Sequence, residues 1–352
     1  ELNFMPLPLI IGAIAGAAAT LGAGAGIYGA SKIMEANEIK ESAQKRKEKA
    51  VKLYKDKESE LTALLDPLGK NELEIVKSFA EFSDIIEKIS DKPDFNVHFK
   101  ENGISDIKIQ KIGDLNLKDL SIWADTALAS LSGAAAGVAG GFAASGAITA
   151  LVAAFGTAST GTAISTLSGA ALTNAILACL GGGSLVIGGG GMALGSLALG
   201  LTTGGIGLLI GGSVLALIGS NKTDEAEKEI ESAEETERQV DKFIHYYDEL
   251  ITYASHFKDA LCGIKELYEE QLKRLDYVVN VLGKVHWSDF ADGEKQLTKT
   301  TVFLVELLYK MCNTGLVQKE KNSDGFNSVN KFEVDSIVSE ASIILDNAKG
   351  NK

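Results

Sequence analysis

VDKFIHYYDELITYASHFKDALCGIKELYEEQLKRLDYVVNVL, residues 240–282, carries the pattern that decides the fold. Apolar residues recur there at steps of three and four, the period of one helix face, and no Gly-Pro pair or polar cluster interrupts them. Val240, Ile244, Tyr247, Ile251, Leu261, Tyr268, Leu272 and Leu275 form the expected seam. A seam of this length is of coiled-coil or bundle type. Extended back to Asp224, the helix runs ~90 Å at about 1.5 Å per residue.

Upstream, Leu61, Leu65, Leu68, Val76, Phe79, Ile86 and Ile89 repeat the same spacing within an arm that begins at Lys32. Pro67 and Gly69 predict a break in that arm, because Pro lacks the N–H and clashes inside a helix. Shorter helices are expected over about 297–311 and 333–348, with residues 314–330 as loop. Asn102-Gly103, inside the alternating stretch FNVHFKENGISDIKIQ (95–110), predicts a small β-hairpin. The fold class is mainly all-α: a long helical bundle or coiled coil with an apolar Gly/Ala-rich helical hairpin region and a small β-hairpin.

Between the arms lies a second material. From Thr126 to Asn221, 96 residues contain no Asp, Glu, Lys, Arg, His or Pro, and 23 of the chain's 38 glycines fall there. Gly133, Gly137 and Gly141 are spaced by four and continued by Ser145 and Thr149; Gly200 with Gly204 and Gly207 with Gly211 repeat the step. Small residues at this spacing let helix backbones approach closely where burying Leu against Leu gains little, as in lipid. Breaks at GTASTGT (156–162) and at the glycines of GGGSLVIGGGG (181–191) divide the block into helices near 127–155, 163–180 and 192–219. The first and third are long enough to span a bilayer, and the second marginally so. Residues 2–31 form another charge-free stretch, with Gly12, Gly16, Gly22 and Gly26 at similar spacing. The organisation expected is an apolar segment 1–31, a helical arm 32–91, a β-hairpin region 92–118, a glycine-zipper block 119–221 and a coiled-coil region 222–352.

Charge narrows the function. The 352-residue chain has a formal net charge of −13, which argues against nucleic-acid binding, and a mean hydropathy of +0.10 that averages two unlike materials. From Lys32 to Lys57 there are nine Lys or Arg against five acidic residues, whereas 224–237 hold eight acidic residues and Lys228 alone. If residues 2–31 span, the positive-inside rule puts the side that follows in the cytoplasm. Cys179, Cys262 and Cys312 have neither metal-site nor disulfide spacing. Gly24, Gly26 and Gly29 match GxGxxG but lack the βαβ context. NKTD (221–224) lacks a phosphate loop, and His98, His245, His256 and His286 are dispersed. No cofactor, metal, small-molecule substrate or enzyme activity is expected.

Long helices flanking a central apolar block, with a β segment before it, give a layout that resembles α-helical pore-forming toxins of the cytolysin A and tripartite enterotoxin type. The glycine-zipper block itself resembles the hydrophobic regions of apolipoprotein-L-like proteins. The toxin resemblance implies a soluble bundle that exposes its apolar helices, inserts them and oligomerises; the apolar segment 1–31 departs from that pattern. The expected partners are a lipid bilayer and further copies of the chain or related helical subunits, at a membrane reached from a secreted soluble state. The competing reading is a coiled-coil scaffold or adaptor that anchors or buries its apolar helices without permeabilising anything.

Overall fold

The computed structural model describes residues 25–93, 95, 117–131, 138–155, 226–318 and 328–350. These are 89% helical, which makes the fold mainly all-α. In chain order the helices are α1 (Ala25–Glu87), α2 (Leu117–Leu131), α3 (Val138–Ser145), α4 (Ala147–Phe155), α5 (Ala226–Asp276), α6 (Asp292–Asn313) and α7 (Lys331–Gly350). A π-helical turn, Tyr277–Val281, closes α5, and a short 3₁₀ turn, Trp287–Asp289, leads into α6.

The basic start of the first arm and the acidic start of the second explain how α1 and α5 pair. Arg46 makes a two-pronged bond to Glu237, Lys47 bonds Glu229 at 2.7 Å, Lys57 bonds Asp248 at 2.7 Å and Lys265 bonds Glu74 at 3.1 Å. Apart from Lys47 and Glu229, which are 182 positions apart, the partners stay 190 to 194 positions apart along the length of the pair, among them Arg46 with Glu237 and Asn71 with Cys262 at 191 and Lys88 with Asn280 at 192. The two long helices are therefore parallel and in register. Single partly exposed ion pairs stabilise by about 1 kcal/mol or less. Their use here is directional, since an antiparallel pairing would take the acidic start of α5 away from the basic start of α1.

Burial supplies the energy. On α5, Val240, Phe243, Tyr247, Leu250, Ala254, Phe257, Leu261, Ile264 and Tyr268 are buried in strict alternation of three and four. One additional four-residue step then leads to Leu272, Leu275 and Val279, a local stutter in the heptad. The expected seam holds with one adjustment: Ile244 and Ile251 are half-buried, and Phe243 and Leu250 beside them point into the core. On α1 the matching row includes Leu61, Leu65, Leu68, Ile75, Phe79 and Phe82, each at most 1% exposed. Toward the start of both helices the seam thins to Ala43, Lys47 and Ala50 against Ala233 and Thr236. An aromatic knot of Tyr54, Phe243 and Tyr247, with ring centroids 5.7–6.3 Å apart, separates this slender part from the thicker remainder.

The remaining helices gather on that thicker part. α2 lies against the end of α1 through Lys118, which bonds Asp84 and Glu87, and through Lys77 with Asp125 at 2.6 Å. After the turn at Gly283 (φ +69°), α6 runs back along the pair, and Glu294 both accepts from the Ala291 backbone N–H and bonds Lys284. α7 follows α5, with Lys331 on Glu249 and the Leu345 side chain against Gly263.

Three expectations change. α1 is continuous through Pro67 and Gly69: the surrounding buried Leu side chains, at roughly 1.5–3 kcal/mol each, outweigh the about 3 kcal/mol that an internal Pro costs. Helix 127–155 is instead the end of α2, then α3 and α4, broken at Gly146. Residues 314–330 contain a two-residue antiparallel ladder, β1 (Val317–Gln318) with β2 (Ser328–Val329), pairing Val317 with Val329. It is too short to leave an alternating pattern in sequence. The expected hairpin at 95–110 lies outside the described residues except for Phe95, which packs edge-on to Trp287.

The seam gives the first test. Leu261→Ala should lower the unfolding free energy by about 2–5 kcal/mol in urea titrations, whereas Ile244→Ala should cost about 1 kcal/mol or less. Equal costs would contradict the seam as described.

Candidate functional site

The charge-free block meets the charged bundle at α3 and α4, and the sequence Asp66-Pro67-Leu68-Gly69 prepares the meeting place. Gly69 has no side chain, and a Cβ there would stand 1.8 Å from the Ala139 carbonyl oxygen. Only glycine permits that backbone-on-backbone crossing. One turn earlier on α1, the Asp66 carboxylate accepts the Gly140 backbone N–H at 2.7 Å. That N–H belongs to the first turn of α3, which has no intrahelical acceptor and carries the positive end of the helix dipole. Every residue of α3 except Ser145 is buried.

Gly146, at φ +77°, turns the chain from α3 into α4. A Cβ there would lie 2.7 Å from the Asn313 carbonyl oxygen, and one at Gly315 would lie 2.9 Å from Ser145 backbone. The corner is thus seated on the end of α6 by a second backbone contact. Thr149 donates its hydroxyl to Asn313, with the side-chain oxygen at 3.0 Å and the carbonyl at 3.2 Å. Farther on, Phe155 stacks on Trp123 of α2 at 5.9 Å and 9°. Ile148 and Leu151 are buried, while Val152 is 49% exposed.

One acidic residue sits under this corner. Glu72 occupies the place between Leu68 and Ile75 where the seam spacing calls for an apolar residue; it is fully buried, and among the described residues its carboxyl closes no well-formed hydrogen bond, with the Ala147 backbone N–H facing it. Burial holds its carboxyl well above the ordinary carboxylate range, opposed in part by the Ala147 backbone N–H at the start of α4. The Cys312 thiol of α6 leans toward the Glu72 carbonyl oxygen at 3.9 Å, and burial, with Glu72 adding to it, pushes that thiol up.

The glycine stripe is distributed differently from its expected course. Gly141 is buried within α3, and Ser145 ends that helix. Gly146 interrupts the four-residue repeat, so Thr149 stands on another helix. Gly26 lies in the first turn of α1. Gly133, Gly137, Gly200, Gly204, Gly207, Gly211, Gly12, Gly16 and Gly22 lie outside the described residues. The close approaches that are described use Gly69, Gly146 and Gly315, which spacing alone did not single out. Glu72 could have been found, because it breaks an otherwise apolar row. Among the described residues no cluster of His, Cys, Asp and Glu could hold a metal ion, and no helix is long and apolar enough to cross a membrane. His245 and His256 are exposed on α5, and His286 Nδ1 is 2.8 Å from Ser90 Oγ.

No protein-family model, curated protein or solved structure matches this chain.

The crossing makes a prediction that runs against helix propensity. Alanine is favoured over glycine inside a helix by about 1 kcal/mol, yet Gly69→Ala should destabilise the protein by about 2 kcal/mol or more, because α3 must back away. Gly293→Ala, where a Cβ meets nothing within 4 Å, is the control. A Gly69→Ala protein as stable as the parent in urea would refute the close approach.

Proposed function

We propose that the protein holds a glycine-rich apolar block on a parallel helical pair and delivers it to a bilayer, permeabilising the membrane as an oligomer. The register of α1 and α5 is the observation that supports this reading. The charged parts that follow the two apolar stretches begin at Lys32 and Lys222, 190 positions apart in sequence. Among the described residues, all but one of the side-chain bonds between α1 and α5 run at a separation of 190 to 194. The two helices therefore begin at the same end of the pair, and in sequence the charged part of each follows a charge-free stretch. A protein that stands on a membrane by that end would bring both stretches to one surface. Glycine- and alanine-rich sequence suits this use, since its weak hydrophobicity is compatible with storage against other helices before transfer.

The scaffold reading draws support from a different observation. The α3–α4 corner serves as bundle core, and among the described residues no helix is long and apolar enough to cross a membrane. Its proposed partner-binding seam, however, is occupied by α1: Leu261 and Leu272 are buried within the protein's own core.

Flotation with liposomes, followed by carbonate extraction and dye release on the same sample, tests the proposal. Carbonate-resistant flotation with leakage is the expected result. Flotation without leakage would favour an anchored scaffold. Protein that neither floats nor releases dye, across lipid compositions and pH, would overturn membrane delivery.

A further inference from the structure

Glu72 is a carboxyl group that, among the described residues, closes no well-formed hydrogen bond and meets no opposite charge, at a contact between three elements. It belongs to α1, lies beside the Ala147 N–H that begins α4, and adjoins Cys312 near the end of α6. Two glycine contacts bracket it, Gly69 under α3 and Gly146 on the end of α6. An uncharged acid tolerates this setting; a carboxylate does not, since a buried charge needs a partner.

The Ala147 N–H is a partial partner for the ionised form, and among the described residues no side chain around Glu72 offers a free positive charge. α3 and α4 contain no titratable side chain. From α6 comes the Cys312 thiol, itself held protonated by burial. From α5 comes Lys265, whose ammonium is already engaged by Asn71 Oδ1 at 2.7 Å and Glu74 at 3.1 Å. On α1 itself, Asp66 is committed to the Gly140 N–H.

We propose that Glu72 is a proton-controlled latch: as the neutral acid it completes the seam on which the α3–α4 corner sits, and its ionisation loosens that corner from α1. The direction follows from linkage. A carboxyl that keeps its proton more tightly in the folded state contributes fully below the ordinary carboxylate range, and the contribution is lost as pH rises through the folded value. Release is therefore favoured by base. If the corner belongs to a block bound for a bilayer, as proposed above, the latch sets the pH at which that block becomes available.

The test needs no membrane, so it fails or succeeds apart from that reading. Trp123, stacked on Phe155 of α4, reports on the corner in a full chain carrying Trp287→Phe. Urea unfolding followed by this fluorophore is compared with and without Glu72→Gln from about pH 5 to about pH 10. Relative to the Gln chain, the unfolding constant of the Glu72 chain should rise by roughly tenfold or more across that range, about one power of ten for each unit by which the folded carboxyl titrates above pH 5. Parallel pH profiles for the two chains would overturn the proposal. Should Glu72→Gln fail to fold, Glu72→Met, which keeps an unbranched side chain of similar length, takes its place in the same comparison.

Discussion

The parallel register of α1 and α5 is the constraint on which the rest of the structure depends. Two long helices that run the same way cannot be joined by a short turn, so the chain leaving α1 at Glu87 must travel back along the pair before α5 can begin at Ala226. The return starts with α2, whose Lys118 lies beside Glu87 and whose Asp125 reaches Lys77. α3 continues it, crossing α1 at Gly69. α4 then reverses, so that Phe155 comes back to Trp123. In sequence the charge-free block lies within the connection that a parallel pairing demands, and its described part, through α4, is built into the bundle.

How firmly that part is held follows from what it buries. Phe142, Ile148, Leu151 and Phe155 carry most of the apolar area, at roughly 1.5–3 kcal/mol each. The intervening Ala and Gly contribute little area and allow close backbone contact instead. Specificity comes from three places without a Cβ, Gly69, Gly146 and Gly315, and from one carboxylate at the start of α3. A surface made this way is selective in geometry and modest in energy. Those properties suit a segment that is stored on one partner and transferred to another.

Much of this was legible in the sequence. The seam of α5 followed from its spacing, and the small helices near 297–311 and 333–348 appear as α6 and α7 with slightly wider bounds. Direction was harder. The basic run after Lys32 and the acidic run of 224–237 are visible as composition, but only the fold shows that they face each other. Local signals misled where tertiary packing overrode them. Pro67 and Gly69 read as a break because each disfavours helix in isolation, yet a row of buried Leu carries the helix through, and Gly69 is needed for what crosses it. Conversely, the regular small-residue step through Gly141, Ser145 and Thr149 reads as one helix face, and a single glycine at positive φ divides it. Periodicity reports which face is apolar; it does not report where the backbone turns.

The parallel register of α1 and α5 is tested by a pair of distances from pulsed electron spin resonance, with native cysteines replaced by Ala and labels on exposed positions. Labels at Glu41 and Glu231, 190 positions apart, should be neighbours across the two helices. Labels at Glu41 and Lys273 should stand about 60 Å apart, because the partner position of Lys273 lies some forty residues farther along α1. A short Glu41–Lys273 distance with a long Glu41–Glu231 distance would mean an antiparallel pair. The two long helices would then begin at opposite ends, and the proposed presentation to a single membrane surface would fall with the register.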